Sequence, residues 1–126
     1  MAANRPEDCN LEIGKLISTG DIDAALDLYE PGAAFVPAQG AEPLVGSAAV
    51  RAALEGFAAL KGTLDVKVRS VIQSGEVALL QSEWTLSNGK GPDGSAVNLA
   101  GKGAEVVRRQ ADGTWKFVVD NPFAGA

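Results

Sequence analysis

The fold of this chain is decided by residues 105–122, which read EVVRRQADGTWKFVVDNP. Asp112 and Gly113 lie between two runs of strand-forming residues, and an Asp-Gly pair accepts the positive φ angles that a two-residue hairpin turn needs. The stretch therefore predicts two antiparallel strands joined by a tight turn. Counting outward from that turn predicts the cross-strand pairs Gln110 with Trp115, Val107 with Val118, and Glu105 with Asp120.

This register sets two carboxylates, Glu105 and Asp120, opposite each other. Directly opposed like charges destabilise a sheet unless something binds or compensates them. We therefore predict Glu105 and Asp120 as candidate catalytic residues. One of them is expected to stay protonated, because of its neighbour and of lost hydration, and to exchange a proton or a hydrogen bond with a ligand oxygen.

Two alternatives to this interpretation stay open. A three-residue loop over residues 111–113 with a bulge would pair Glu105 with Val119 and separate the two acids. A nearby arginine would instead make the two acids part of a structural ion pair, since such networks also perturb titration. The candidates for that arginine are Arg51, Arg69 and Arg108.

Length and charge restrict the classes of protein that fit. A chain of 126 residues with 46% hydrophobic residues has enough material for one core, so we predict a single domain over residues 1–126. Eleven Lys and Arg against sixteen Asp and Glu give a net charge of −5, which predicts no nucleic-acid partner. The sequence shows neither a signal-peptide pattern nor an apolar run of ~18 residues, so we expect a cytoplasmic protein with no membrane partner.

The absence of histidine limits the chemistry. It excludes Ser-His-Asp and Cys-His nucleophilic sites and histidine-rich zinc, iron or copper sites. No loop of closely spaced acidic residues suggests calcium, so we predict no metal and no cofactor. Cys9 is the only cysteine and falls on the apolar side of a predicted helix, which favours a buried, inert thiol.

Hydrophobic periodicity predicts three helices before most of the strands. Apolar residues at helical spacing predict helices over about residues 7–18, from Asp21 until Pro31 prevents continuation, and from Ser47 as cap to about residue 61. Residues 33–46, rich in proline and glycine, predict short extended pieces. Period-two alternation then predicts long strands over about residues 64–73, 76–87, 97–110 and 114–121. This order predicts an α+β fold, with three N-terminal helices packed on a curved, mostly antiparallel sheet around an apolar hollow.

Two stretches carry a family resemblance. The sequence GDIDAALDLYEPGAAFVPAQGAEPLVGSAAVRAAL, followed by EVVRRQADGTWKFVVDNPF, resembles the SnoaL-like, ketosteroid-isomerase-like branch of the nuclear transport factor 2-like superfamily. The resemblance implies a cone-shaped α+β fold, an apolar pocket and a homodimer formed through the outer face of the sheet. It implies a protein that binds a small apolar or amphipathic molecule. The chemistry would be that of an isomerase, cyclase or dehydratase acting on a polyketide- or steroid-like carbonyl or hydroxyl compound, and the alternative is a non-catalytic ligand-binding or dimeric association module.

The isomerase residues of that family carry over only in part. Ungapped superposition of the two sequences places Pro37 at the position of the catalytic base, and proline cannot accept a proton. Ile13 falls near the position of the oxyanion tyrosine. Only Glu105 falls on a matching position, that of the protonated acid, so the resemblance disfavours ordinary steroid isomerisation.

Aromatic and aliphatic residues complete the predicted site. The expected ligand pocket is lined by Tyr29, Phe35, Trp84, Val107 and Val118, with simple core packing as the alternative. In the predicted register, Trp115 and Phe117 lie on the opposite face of the sheet beside Arg108. These three residues are the predicted dimer surface, with a solvated sheet face as the alternative.

Overall fold

The computed structural model describes residues 3–125, in which three helices are followed by most of a six-stranded sheet. The helices are α1 (Asp8–Thr19), α2 (Ile22–Leu26) and α3 (Ser47–Ala58). The strands are β1 (Tyr29–Phe35), β2 (Leu44–Val45), β3 (Thr63–Ser74), β4 (Val77–Lys90), β5 (Ala96–Arg109) and β6 (Trp115–Asn121).

The sheet has the order β2-β1-β6-β5-β4-β3, and only the pairing of β1 with β6 is parallel. The helices pack on one face of this curved sheet, so the predicted α+β architecture is confirmed. The core between the two layers is built from apolar side chains of α1, α3 and the inner face of the sheet. Its largest fully buried members include Phe35, Phe117, Leu54, Leu80 and Val107.

Helices α2 and α3 differ from the sequence prediction at their ends. Asp21 caps α2 as predicted, because its side chain accepts a hydrogen bond from the Ala24 N–H at 3.2 Å. The helix nevertheless ends at Leu26, and Tyr29 lies in β1 opposite Phe117 of β6. At α3 the cap is Gly46 and not Ser47, since φ is +100° at residue 46, a value that favours glycine.

The turn between β5 and β6 is a three-residue loop, so the predicted two-residue turn is wrong. The Gln110 N–H donates to the Thr114 carbonyl at 2.6 Å, and the Gly113 N–H donates back to the Gln110 carbonyl at 2.9 Å. Gly113 has a φ of +88°, as the last residue of such a loop requires. The neighbouring pairs shift accordingly: Arg109 faces Trp115, Arg108 faces Lys116, and Val107 faces Phe117.

A β-bulge then restores the predicted pairing of the acids. Val107 pairs with Phe117 but Val106 pairs with Val119, so Val118 is an extra residue in β6. Beyond it, Glu105 faces Asp120 as predicted. The predicted pairs of Val107 with Val118 and Gln110 with Trp115 are wrong, because the loop and the bulge each displace the register by one residue, in opposite directions.

The bulge also decides which aromatic side chains are buried. In a regular strand, side chains three apart point to opposite faces, but the extra residue lets Phe117 and Asp120 share the inner face. Trp115 is only 4% exposed and Phe117 is fully buried. The prediction that these two residues form a dimer surface is therefore wrong. Arg108 does lie on the exposed side, where its guanidinium pairs with Glu30 at 2.9 Å and not with Phe117.

Among residues 3–125, no helix combines the length and the apolar character that crossing a membrane requires.

Truncation of Phe117 tests the side-chain directions set by the bulge. Phe117→Ala removes a fully buried ring, so we expect the free energy of unfolding to fall by about 3–5 kcal/mol in urea titrations. The neighbouring Lys116→Ala is the control, with an expected change below about 0.5 kcal/mol. Equal, small effects of the two substitutions would place Phe117 on the solvent face and contradict the bulge.

Candidate functional site

Glu105 is the centre of a buried polar cluster on the inner face of the sheet. Its side chain is 3% exposed. One carboxyl oxygen, Oε1, accepts a hydrogen bond from Asn10 Nδ2 of α1 at 2.6 Å. The other, Oε2, accepts one from Ser82 Oγ of β4 at 3.0 Å. A helix and two strands thus fix the position of this carboxyl group.

Asp120, on the neighbouring strand β6, has a different partner. Its Oδ2 accepts a hydrogen bond from the Tyr29 hydroxyl at 2.5 Å. Its backbone carbonyl accepts the Val36 N–H at 3.0 Å, which attaches this end of β6 to β1. Within residues 3–125 no group donates a hydrogen bond to the other carboxyl oxygen, Oδ1. That oxygen remains available to a ligand, while Tyr29 holds the carboxyl group in place.

No arginine neutralises the two acids, so the structural alternative that invoked one is wrong. Arg51 binds Asp23 at 2.6 Å, Arg69 binds Glu83 at 2.5 Å, and Arg108 binds Glu30. In the described part of the chain, neither Glu105 nor Asp120 has a cationic side chain within 4.0 Å. The pair is thus stabilised by neutral hydrogen-bond donors and by retained protons.

Burial separates the proton affinities of the two acids. Loss of hydration, together with the charge of Asp120, raises the pKa of Glu105 to about 8, although Asn10 and Ser82 oppose this. Burial raises the pKa of Asp120 to about 6, against the effect of the Tyr29 hydrogen bond. Burial and the charge of Asp120 hold the pKa of Tyr29 well above its usual value, so its hydroxyl stays a donor. The raised pKa of each acid thus favours retention of a proton by the pair near neutral pH.

A glycine makes room for the Glu105 carboxyl group. A Cβ atom at Gly103 would lie within 2.6 Å of Ser82 Oγ and even closer to Glu105 Oε2. A side chain at position 103 would therefore displace both partners of the hydrogen bond. Gly101 has the same function for Trp84, whose indole would meet a Cβ atom there at 2.7 Å. The two glycines of β5 thus create the space in which the site is built.

A cavity of about 50 Å³ lies beside the acid pair. Such a volume has room for water, whereas ligand pockets typically enclose about 300–1,000 Å³. This hollow is thus smaller than a polyketide- or steroid-sized ligand requires. Its wall combines the acid pair and its partners with apolar side chains from α1, β3, β4 and the end of β6: Asn10, Ile13, Leu64, Val66, Ser82, Trp84, Glu105, Asp120 and Pro122.

The structure brings only part of the predicted pocket to this cavity. Trp84 lines it, and its Nε1–H donates to the Pro122 carbonyl at 2.7 Å. Tyr29, Phe35 and Val107 belong to the core, where the Tyr29 ring packs on Phe117 at 4.7 Å between centroids. Val118 is the half-buried bulge residue. Tyr29 reaches the site only through its hydroxyl.

Sequence reasoning missed Asn10 and Ser82, the two groups that bind Glu105. Both interrupt an otherwise apolar surface. Asn10 is a fully buried polar residue on the buried side of α1 beside Cys9 and Ile13. Ser82 stands between Leu80 and Trp84 in the inward alternation of β4. A polar residue within a buried stripe needs a partner, and that signal was present in the sequence.

The positions taken from the isomerase resemblance lie in different surroundings. Pro37 is in the loop after β1 and does not line the cavity, whereas Ile13 lies on its wall.

Over residues 3–125, no group of three or more His, Cys, Asp or Glu side chains is placed to hold a metal ion.

Comparison with known proteins gives a family and a fold. The family profile described as SnoaL-like domain matches residues 14–118. A search of the curated proteins found no match.

Solved structures share the fold at low sequence identity. One from Thiobacillus denitrificans, provisionally named a calcium/calmodulin-dependent protein kinase type II association domain, is 24% identical, with a TM-score of 0.77 and 98% of both chains covered. One from Streptomyces avermitilis, provisionally named a dehydratase of the NTF2-like family, is 16% identical, with a TM-score of 0.70 and 93% of both chains covered. A ketosteroid isomerase-like protein from Erwinia carotovora atroseptica is 18% identical, with a TM-score of 0.71, and the match covers 92% of this chain and 90% of that one.

The raised pKa of Glu105 predicts a stability that falls as the pH rises. The folded state holds the Glu105 proton more tightly than the unfolded state. Its contribution is therefore complete below the ordinary carboxyl pKa of 4.5 and is lost as the pH rises through about 8. We expect the free energy of unfolding to decrease by on the order of 3 kcal/mol over this range in urea titrations.

The variant Glu105→Gln keeps the neutral form at every pH and should therefore remove most of this dependence. The matched control is Glu76→Gln, at an exposed turn position, which should retain the pH dependence of the native protein. Native stability that rises between about pH 5 and 8 would contradict the assignment of the proton to this pair.

Proposed function

Since the chain belongs to the SnoaL-like family, we propose that it is an enzyme of the isomerase, dehydratase or cyclase type that acts on a small apolar carbonyl or hydroxyl compound. The observation that carries the proposal is a buried carboxyl pair, with no cationic partner among residues 3–125, on the wall of an apolar cavity. Two carboxyl groups with separated pKa values supply an acid and a base at the same pH. A structure that needed only stability would be served as well by apolar residues at both positions.

In the proposed chemistry, Asp120 is the base and Glu105 the acid. Asp120 Oδ1 removes a proton from the carbon next to the ligand carbonyl, while Tyr29 keeps the other oxygen occupied. Glu105 donates its proton to the carbonyl oxygen, on which negative charge develops, or to a leaving hydroxyl group, which departs as water. In an isomerisation Asp120 returns its proton to another carbon, and Glu105 recovers its own from the enol. In a dehydration the proton on Asp120 passes to Glu105, and the pair returns to its starting state.

The residues around the pair suit these functions. Asn10 and Ser82 hold the Glu105 carboxyl group at both oxygens, which fixes its direction without a charge that would remove its proton. The apolar wall formed by Ile13, Leu64, Val66 and Trp84 keeps the pair poorly hydrated. The names of two solved structures that share the fold, a dehydratase and a ketosteroid isomerase-like protein, agree with the proposed class of reaction.

A second candidate function is that of a non-catalytic, dimeric association module. The observation in its favour is an apolar row on the outer face of the sheet, formed by residues that are cross-strand neighbours in β3, β4, β5, β6, β1 and β2. We call this the outer row, and it consists of Ile72, Leu79, Val106, Val119, Ala34 and Val45.

The occupant that we propose for the outer row is a second copy of this chain. Ile72, Leu79 and Val45 are 61%, 41% and 66% exposed, which is unusual for large apolar residues in one continuous surface. Most charges beside the row are paired, Arg108 with Glu30 on one side and Arg69 with Glu83 on the other, while Lys116, which faces Arg108, forms no ion pair with the described residues. Two identical rows can therefore approach across a two-fold axis with little repulsion between them. A homodimer is compatible with both candidate functions.

The catalytic proposal is tested with native mass spectrometry and a defined probe. Freshly purified protein is first inspected for a retained small molecule. Binding of 2-naphthol, an apolar hydroxyl compound, is then measured by fluorescence. We expect Glu105→Gln and Asp120→Asn to weaken binding at least about tenfold, since each replaces a carboxyl group that exchanges a hydrogen bond with the probe by a weaker amide in a poorly hydrated site.

The control for this experiment is Glu55→Gln, which removes an exposed carboxylate of α3 that lines neither the cavity nor any groove beside it. It should bind 2-naphthol like the native protein. Unchanged affinity in both site variants, with intact folding, would reject the acid pair as a binding site. Retention of a small molecule by the native protein that both site variants lose would support it further.

The dimer is tested by a charge in the outer row. Leu79→Lys places an ammonium group in the row between Ile72 and Val106, so we expect it to sediment as a monomer where the native protein sediments as a dimer. Gln81→Lys is the matched control on the same strand and face, and it should remain dimeric. Native protein that is monomeric at micromolar concentration would exclude the dimer.

A further inference from the structure

The four residues after β6 fold back over the site. We call this segment, residues 122–125, the C-terminal strap. The Pro122 carbonyl accepts the indole N–H of Trp84 at 2.7 Å. The Phe123 ring packs edge-on against the same indole, with 5.7 Å between ring centroids. The Gly125 N–H donates to the Lys102 carbonyl at 3.0 Å and so attaches the strap to β5 beyond the end of β6.

Trp84 and the C-terminal strap separate two spaces. On one side is the 50 Å³ cavity with the acid pair, whose wall includes Trp84 and Pro122. On the other is a surface groove of about 460 Å³ that also borders Trp84. The groove is lined by Gln39, Glu83, Trp84, Thr85, Ala100, Gly101, Lys102, Phe123 and Gly125. The cavity alone is too small for an organic ligand, and the groove alone does not reach the acids.

We propose that the C-terminal strap and Trp84 form a gate, and that opening it joins the groove to the acid-pair cavity as one substrate site. The joined space falls in the range of ligand pockets, about 300–1,000 Å³. The proposal rests on the proposed function in one respect, that the acid pair acts on the molecule held in this site. It assigns the groove to the body of the substrate and the cavity to its reacting carbonyl or hydroxyl end.

The contacts of the strap explain why it is the part that moves. Beyond Asn121 the strap belongs to no strand, and its described backbone link to the sheet is the single hydrogen bond from Gly125 to Lys102. Trp84 lies on β4, which pairs along its length with β3 on one side and β5 on the other. Segments with few backbone hydrogen bonds open locally at far lower cost than central strands. Displacement of the strap frees the Trp84 indole from both of its strap contacts at once.

The chemistry of the groove defines the class of substrate. Trp84 and Phe123 offer aromatic surfaces, and Ala100 and Gly101 add small residues that leave space beside them. Lys102 lies at the groove and forms no ion pair with the described residues. These features suit a planar apolar molecule with one carbonyl or hydroxyl end, which enters the cavity, and an anionic or strongly hydrogen-bond-accepting group that contacts Lys102.

A single glycine allows a sharp test of the gate. A Cβ atom at Gly125 would clash with Lys102 Cβ, so Gly125→Ala forces the strap away from β5. Gly32→Ala is the matched control, because a Cβ atom at Gly32 meets nothing within 4 Å. The first readout is hydrogen exchange of the Trp84 indole N–H, measured by NMR. The chain has only two tryptophans, so the two indole signals are readily assigned.

The gate predicts that exchange of the Trp84 indole N–H is at least about tenfold faster in Gly125→Ala than in the native protein, and unchanged in Gly32→Ala. Phe123→Ala, which removes the ring contact, should change exchange in the same direction. The second readout is the association rate of 2-naphthol in stopped-flow fluorescence, which should rise in the same variants. Exchange that stays at the native rate in both strap variants would overturn the proposal, as would faster exchange without faster association.

The same measurements separate this inference from the proposed function. If the acid pair does not bind the ligand, Glu105→Gln leaves the affinity for 2-naphthol unchanged, while Gly125→Ala still accelerates both exchange and association. If the strap is not a gate, Glu105→Gln weakens binding while Gly125→Ala leaves both rates unchanged. Circular dichroism and thermal unfolding of each variant establish that it is folded.

Discussion

The arrangement of this molecule depends on one extra residue in a strand, Val118. The loop at residues 111–113 and the burial of the two acids require registers that differ by one residue. The bulge reconciles them, because it changes which residues of β6 face the helices. Toward the loop, Trp115 and Phe117 fill the core. Beyond the bulge, Asp120 takes the inner position beside Glu105 and completes the polar site.

The polar site is unusual in how its charge is managed. Seven ion pairs lie on or near the surface of the described chain, and none includes Glu105 or Asp120. The pair is instead held by hydrogen bonds from the Asn10 amide and from the Ser82 and Tyr29 hydroxyl groups, and by the protons that it retains. Such an arrangement lowers stability relative to an apolar core of the same shape. Groups held at such a cost are more typical of function than of architecture, which is why the pair carries the proposed chemistry.

The sequence predicted the fold well because its signals are redundant. The long strands alternate over many residues, so β3, β4 and β5 were placed within a few residues of their ends, and the helix order indicated the layers. The pairing of Glu105 with Asp120 was also predicted, but by a count in which two opposite errors cancelled. A bulge has no clear signature in a run such as WKFVVDN, since each apolar residue there fits either face. Because of the same ambiguity, the sequence prediction placed Trp115 and Phe117 on the outer face of the sheet, although both are buried.

The pocket was harder to predict than the fold, since its volume depends on contacts between distant segments. Nothing in the sequence near Trp84 indicates that the residues after Asn121 return to cover it. Tyr29 was placed on a helix because α2 has a helical pattern that extends past its real end. From the sequence alone, glycines 101 and 103 indicate only a weakened strand. Their function, to leave space for the side chains of Trp84 and Glu105, depends on contacts that the sequence does not show.

The acid pair also makes it possible to measure how many protons the protein gains or releases when a ligand binds. With no histidine in the chain, and with burial raising the pKa of the Cys9 thiol to about 12, few other side chains exchange protons near neutrality. A molecule that changes the protonation of Glu105 or Asp120 when it binds must exchange that proton with the buffer. The measured heat of binding would then depend on the ionisation enthalpy of the buffer, and the slope of that dependence would give the number of protons moved. Calorimetry in two buffers can thus report a change in protonation of the buried acid pair without a label.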